Sequence, residues 1–224
     1  MAKAKVVFAC ANGRHGDAVE QATSYWAQNA YRKLRRKRRT FYGFCLVREV
    51  TRTRLAAALT PIRRVRLLVL WGHGRRSDGA YLSANHHTVL DRRLRDLRLL
   101  IETSVCALYC YSEKLYRSGT KLLKPREAPP FVGFEDAMYV IVRPCNTSYM
   151  GFEEASEKAW SAILNGYSGA FAAQRFRKEC AKWATYWGCN ILLSAFDRHW
   201  DDAATSLFCT LAFLNNMDEV RGHN

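Results

Sequence analysis

The hydrophobic pattern of the chain first indicates several short strands. Three segments are largely apolar, as expected for strands that a parallel sheet covers on both faces. They are Lys5–Cys10, Val65–Trp71 and Ser104–Cys110. Three further strand candidates are shorter or richer in aromatic residues: Phe41–Val47, Phe131–Phe134 and Met138–Val142. The pattern therefore predicts a sheet with a buried centre.

Between the strands, apolar residues recur at helical spacing. The clearest stripe has Arg and Asp on its opposite face and consists of Leu90, Leu94, Leu97 and Ile101. Further helices are predicted over residues 17–34, 53–59, 152–164, 170–186 and 200–214. Because strands alternate with helices, we expect an α/β fold. It should be a three-layer α/β/α sandwich with a mostly parallel sheet, plus C-terminal helices.

Length and composition limit the kinds of protein that the chain can be. Its 224 residues allow one large domain or two small ones. We expect a main domain over residues 1–185 and a helical extension, packed on the same domain, over residues 186–224. The extension forms either a cap on the sheet, which we favour, or a partner-binding face. No membrane span or signal segment is evident, and eight irregularly spaced cysteines suit reduced thiols, so we expect a cytoplasmic chain.

Two chemically reactive residues follow consecutive predicted strands. His73 lies just after Val65–Trp71, and Cys110 ends the next strand. A predicted helix joins these strands as a right-handed crossover, so their carboxyl ends should be neighbours. An imidazole there can take the proton of a thiol, and the amides of Gly74 and Cys110 can stabilise an oxyanion. Each residue alone also suits a structural role, as a turn histidine or a buried cysteine.

A metal site is the rival use of these residues. Five possible ligands fall within 38 residues, namely His73, His86, His87, Cys106 and Cys110. On one strand, however, Cys106 and Cys110 would be about 13 Å apart. They could not share a tetrahedral zinc ion, whose bonds to sulfur are about 2.3 Å long. We therefore expect neither a metal nor another cofactor.

The order of these elements resembles that of the caspase-like cysteine peptidases, and most closely their bacterial CHAT branch. The similar segments are "RLLVLWGHG" (66–74), "LSANHHTVLDRRLRDL" (82–97) and "VCALYCYSEKL" (105–115), within a resemblance over roughly residues 5–180. It implies a peptidase domain over residues 1–185, a protein substrate and a regulatory partner. In that reading Cys110 is the nucleophile, His73 the general acid and base, and Gly74 and Cys110 form the oxyanion hole.

The resemblance leaves two opposite specificities open. Arg14, before the first helix, would hold an acidic substrate residue, whereas Asp136 or Glu135 would hold Arg or Lys. We favour Asp136 and a basic residue. The predicted loop Ser118–Pro130 follows the nucleophile, as activation loops do in related enzymes, and its basic residues make self-cleavage there conceivable.

The distribution of charge supports a second hypothesis. Residues 1–76 hold 18 Lys or Arg against 3 Asp or Glu, so the whole net charge of +15 lies in the first third. Seven of these positive charges fall in Tyr31–Arg39. This segment has three possible interpretations: a helix end that only contacts solvent, a binding site for an acidic partner, or a binding site for nucleic acid. We thus expect a cysteine endopeptidase switched on by a partner or by loop cleavage. The alternative is a catalytically silent module whose basic third binds nucleic acid or an acidic partner.

Overall fold

The computed structural model describes residues 4–11, 17–38, 42–61, 64–83, 86–140 and 146–224. Within these ranges the helices are α1 (Ala18–Arg38), α2 (Arg52–Ala58), α3 (Leu94–Glu102), α4 (Ser112–Leu123), α5 (Asn146–Leu164), α6 (Gly169–Phe196) and α7 (Trp200–Glu219). The strands are β1 (Ala4–Cys10), β2 (Tyr42–Val47), β3 (Val65–Trp71), β4 (His73–Gly74), β5 (Tyr81–Leu82), β6 (Thr88–Leu90), β7 (Val105–Leu108), β8 (Phe131–Phe134) and β9 (Val220–His223).

The main sheet has six strands in the order β2-β1-β3-β7-β8-β9. The first five run parallel to one another, and β9 pairs antiparallel with β8. Its centre, β3 and β7, consists of the most continuously apolar segments of the sequence. A second, small antiparallel sheet in the order β4-β5-β6 lies between β3 and α3 along the chain.

Alternate side chains of each central strand pack into two different cores. On β1, Phe8 belongs to the core that α1, α5, α6 and α7 cover, whereas Val7 belongs to the core that α2, α3 and α4 cover. Burying one such large side chain stabilises the fold by about 1.5–3 kcal/mol. The predicted three-layer α/β/α sandwich with a mostly parallel sheet is therefore confirmed.

The structure corrects three local predictions. Residues 138–140 form no strand, and the rest of the predicted strand Met138–Val142 lies outside the described residues. The first part of the predicted loop Ser118–Pro130 is helical, because α4 continues to Leu123 with its apolar face packed inward. Only residues 124–130 lie outside that helix. The short strand β9, which the sequence did not predict, completes the edge of the main sheet.

The C-terminal helices are continuous with the rest of the fold. Helix α6 runs through the domain boundary predicted at residue 185, and β9 returns the chain to the main sheet after α7. The inner face of this helical hairpin is buried through Cys180, Trp183 and Phe213. The division into a main domain over residues 1–185 and an extension over residues 186–224 packed on it stays a prediction.

Candidate active site

His73 and Cys110 follow two adjacent strands of the main sheet in the same register. Strands β3 and β7 are parallel neighbours, and Trp71 pairs with Leu108 at their ends. Each candidate residue lies two positions beyond its member of that pair. The register therefore brings both residues to the same carboxyl edge of the sheet, where α/β proteins bind their ligands.

The His73 side chain forms a hydrogen bond that the sequence did not predict. Its Nε2 lies 2.8 Å from Oδ2 of Asp17, the residue that precedes α1. The other carboxylate oxygen of Asp17 accepts the N–H of Glu20 at 2.9 Å, so Asp17 also caps α1. Partial burial raises the pKa of Asp17, but the Glu20 N–H and His73 together lower it below its usual value. Asp17 is therefore a charged acceptor for His73.

The sequence around Asp17 predicts the start of a helix, but it does not predict that Asp17 binds His73. Asp17 and Glu20 have the spacing of a capping box, which predicts the first turn of a helix. The hydrogen bond to His73 joins residues 56 positions apart, and it arises only because β1 and β3 are neighbours.

His86, one of the possible metal ligands, lies beside His73. Their ring centroids are 5.6 Å apart. Cys106 is fully buried in β7. Among the described residues, no three His, Cys, Asp or Glu side chains converge as metal ligands would.

Cys110 lies in the tight connection between β7 and α4. The next residue, Tyr111, has a φ of 59° and caps α4 in the left-handed region. Ser112 fixes this turn, because its hydroxyl donates to the carbonyl of Ala107 (3.1 Å) and accepts the N–H of Phe134 (2.8 Å). The turn therefore holds the half-buried thiol at the N-terminus of a helix.

The environment of Cys110 favours the protonated thiol. Burial raises its pKa, and the nearby Asp136 carboxylate raises it further, whereas the N–H of Met138 lowers it. At neutral pH the thiol therefore keeps its proton until a base accepts it.

The segment Ala137–Val140, here called the strap, contacts the Cys110 sulfur. The N–H of Met138 donates to Sγ at 3.3 Å, and Sγ donates to the carbonyl of Met138 at 3.6 Å. Two asparagines at the end of α7 hold the strap. Asn216 bonds both backbone groups of Tyr139 (2.8 and 2.7 Å), and Asn215 donates to the carbonyl of Ala137 (3.0 Å).

The ladder between β4 and β5 determines where the amide of Gly74 points. The N–H of Arg75 donates to the carbonyl of Ala80 at 2.9 Å, and Gly74 is paired with Tyr81. Hydrogen-bonded and non-hydrogen-bonded pairs alternate along an antiparallel ladder, so the Gly74 N–H points away from β5. A Cβ at Gly74 would overlap the carbonyl oxygen of Cys110, so only glycine allows this close approach.

The three candidate specificity residues have different surroundings. Arg14 lies outside the described residues. Glu135 forms ion pairs with Arg221 (2.9 Å) and Arg117 (3.6 Å). Asp136 is exposed, and within the described part of the chain no cation forms an ion pair with it. Its carbonyl accepts the N–H of Tyr111 at 2.9 Å, which keeps it close to Cys110.

The basic segment Tyr31–Arg39 forms the last turns of α1 as far as Arg38. Lys33 is paired with Glu157 of α5 at 2.7 Å. The neighbouring cations Arg35, Arg36 and Lys37 are exposed. This end of α1 is therefore a cationic surface. Helix α1 joins β1 and β2, and neither strand is a neighbour of β7, the strand that leads to Cys110.

Comparisons with known proteins found similar chains among solved structures. No protein-family model and no curated protein sequence matches the chain. Among solved structures, the chain is similar to the complex of the pro- and mature domains of RgpB from Porphyromonas gingivalis. The TM-score is 0.45 at 9% identity, and the match covers 99% of this chain and 47% of that chain. The chain therefore spans less than half the length of that protein.

Within the described ranges, no helix combines the length and the apolar character needed to cross a membrane.

Proposed function

We propose that the chain is a cysteine endopeptidase that uses Cys110 and His73. One observation carries this proposal: the register of β3 and β7 puts both residues two positions beyond a paired strand end. The close approach of the Gly74 backbone to the Cys110 carbonyl supports it further.

The hydrogen bond with Asp17 suits His73 to the role of general base. If Nε2–H donates to the Asp17 carboxylate, Nδ1 carries no proton and can accept one. His73 then takes the thiol proton as sulfur attacks the substrate carbonyl, and it returns that proton to the leaving amine. Water then hydrolyses the thioester between Cys110 and the acyl half of the substrate. Asp17 acts through His73 and is therefore a positioning residue.

Two backbone amides are proposed as the oxyanion hole. The Gly74 N–H is not used by β5, and the Cys110 N–H lies at the start of the turn into α4. Donors that are fixed before the reaction stabilise the developing charge on the carbonyl oxygen without reorganisation.

The strap accounts for the proposed need for activation. It contacts the sulfur directly, and burial raises the thiol pKa, so the arrangement corresponds to a resting enzyme. The strap would have to be released before substrate reaches Cys110. A regulatory protein could release it by binding, or a cut could release it in residues 124–130, the part of the predicted loop that follows α4.

The specificity proposal favours a basic residue before the scissile bond. Asp136 is exposed and lies beside the turn that carries Cys110, whereas Glu135 is already paired with two arginines. A charged hydrogen bond contributes about 1.5–3 kcal/mol, or roughly 10- to 100-fold in kcat/KM.

A fluorogenic peptide panel tests the reaction and its specificity, and it uses a chain whose strap is loosened by Asn216→Ala. Peptides that differ only in the residue before the cut should be cleaved in the order Arg and Lys over Ala and Asp. Asp136→Asn should lower kcat/KM for the Arg peptide about 10- to 100-fold. The matched control, Glu135→Gln, should change it by less than about threefold, because Glu135 pairs with Arg117 and Arg221. Preference for Asp peptides would contradict the assignment and support Arg14.

The strap is tested by the reactivity of the thiol. Asn216→Ala removes two hydrogen bonds to the strap, each contributing about 1 kcal/mol, so Cys110 should be alkylated by iodoacetamide roughly 5- to 30-fold faster. Mass spectrometry of the peptides measures this rate. The exposed thiol of Cys189 serves as an internal reference, and Asn190→Ala on α6 as a matched control. Equal acceleration at both cysteines would indicate general loosening and contradict the strap.

The exposed end of α1 favours a second candidate function. Arg35, Arg36 and Lys37 extend from the fold with no contact to the proposed catalytic residues among the described hydrogen bonds and ion pairs. A silent module on this fold would use them to bind nucleic acid or an acidic partner, with affinity that falls steeply as salt is added.

A further inference from the structure

The outer surface of the α6–α7 hairpin carries many exposed large apolar side chains in the described part of the chain. Seven large apolar side chains define it: Leu192, Leu193, Phe196, Leu207, Phe208, Leu211 and Leu214. Their exposed fractions run from 43% at Leu214 to 92% at Phe196. Within each helix they stand one, three or four residues apart, so each helix presents them on one face.

Helix α7 is apolar on both of its faces. Its inner face is buried through Ala203, Cys209 and Phe213. A surface helix normally carries charged residues opposite its buried stripe. Here the opposite face carries Leu207 and Phe208 instead, so the helix has the pattern of one that is covered on both sides.

The size of the surface matches one half of a stable protein interface. A phenylalanine side chain carries about 200 Å², so Phe196 and Phe208 alone expose on the order of 300 Å². The five leucines take the total above the roughly 300–600 Å² of the largest apolar patch on a typical monomer. It approaches the roughly 800 Å² that each partner contributes to a standard interface.

The charges around the surface narrow the choice of occupant. Between Lys182 and Arg221 the only Lys or Arg is Arg198, against five Asp or Glu. Helices that lie on membranes carry Lys or Arg on their polar face, and nucleic-acid sites need cations for phosphate. A basic partner could pair only with the flanking Asp and Glu residues, and charges laid on the leucine and phenylalanine side chains themselves would be buried without partners. The occupant must itself present an uncharged, apolar helical surface.

We propose that the occupant is a second copy of this chain, bound through the same surface. A two-fold arrangement brings each apolar stripe against its equivalent, so the interface is self-complementary. Four helices would then pack at about 20° with leucine and phenylalanine side chains interdigitated. The arrangement also joins the chains where they carry few cations, although each chain has a net charge of +15.

Sedimentation velocity at about 1–50 µM protein tests the proposal. The wild-type chain should sediment with the mass of two chains. Phe208→Glu should raise the dissociation constant at least 100-fold, because symmetry places the substitution twice in one interface. Leu122→Glu is the matched control, since Leu122 is 61% exposed on α4, on the other side of the sheet, and it should leave the dimer intact. Circular dichroism should show that both variants are folded, because both side chains lie at the surface.

Three results would overturn the proposal. The first is a wild-type chain that stays monomeric at 50 µM. The second is a dimer that Phe208→Glu leaves unchanged. The third is a monomer that co-sediments with phosphatidylserine and phosphatidylcholine vesicles, which would assign the surface to lipid. Cys110→Ala should dimerise like the wild type, so the outcome does not depend on the proposed peptidase reaction.

Discussion

Cys110→Ala is expected to abolish peptide cleavage, with kcat/KM lower by more than about 10⁴-fold. Alanine offers no atom that can form the thioester, and loss of a covalent nucleophile has effects of this size or larger. Initial rates with the fluorogenic Arg peptide measure the loss, with both chains carrying Asn216→Ala to loosen the strap. The proposed dimer should not change and the thermal unfolding midpoint should hardly move, because the hydrogen bonds of the half-buried thiol are weak ones to the backbone of Met138.

Cys106→Ala is the matched control for this substitution. Cys106 lies four residues before Cys110, on β7, where it is fully buried in the sheet. Its loss should lower stability through a small cavity and leave kcat within about threefold. Cleavage by Cys110→Ala at the wild-type rate would refute the peptidase. Absent cleavage by the Asn216→Ala chain, in which the strap is loosened, together with salt-sensitive binding of nucleic acid, would favour the silent module instead.

The sequence predicted the two central strands because their apolar character is continuous. Strands β3 and β7 are covered on both faces, so nearly every position is apolar and the strand ends are easy to locate. His73 and Cys110 stand directly beyond these ends, and their common sheet edge follows from the right-handed crossover. The candidate pair could therefore be named without coordinates, although its catalytic role stays a prediction.

Other parts of the site depend on contacts that local patterns do not encode. Strand β9 has the sequence "VRGH", whose polar residues suit an edge strand and give no strand signal. The strap contacts Cys110 through the backbone of Met138, and any residue type could form such backbone contacts, so the sequence does not indicate them. Its attachment to Asn216 joins residues 77 positions apart. Such contacts arise only after helices and sheet have packed.

Helix α4 illustrates how a family expectation displaced a local signal. The resemblance favoured a long activation loop from Ser118, and the basic residues there agreed with it. In the structure Leu115 and Tyr116 are buried, Gly119 packs against Ile101 of α3, and the helix continues to Leu123. Amphipathic packing against α3 therefore determines this segment, and any cleavage before residue 124 would require local unfolding of α4.

The His73–Asp17 pair is the second place where a large effect on activity is expected. His73→Ala should lower kcat about 10²- to 10⁴-fold, as loss of a general acid and base does. Asp17→Asn should lower kcat about tenfold with little change in KM, since Asp17 acts through His73 and is half exposed to solvent. Asparagine is as good a helix cap as aspartate, so α1 should keep its N-terminus and the thermal midpoint should hardly move.

The double variant separates a positioning role from a merely structural one. If Asp17 works only by orienting His73 and fixing its tautomer, Asp17→Asn should cost nothing further in the His73→Ala background. Additive losses would mean that Asp17 acts independently, for example by shaping the substrate cleft. Asp201→Asn provides a control, since Asp201 also stands near the start of a helix, and that helix, α7, packs against α6. Because His73 and neighbouring groups hold the pKa of Asp17 below its usual value, its contribution should be present at neutral pH. It should be lost only as the pH falls through that lowered value.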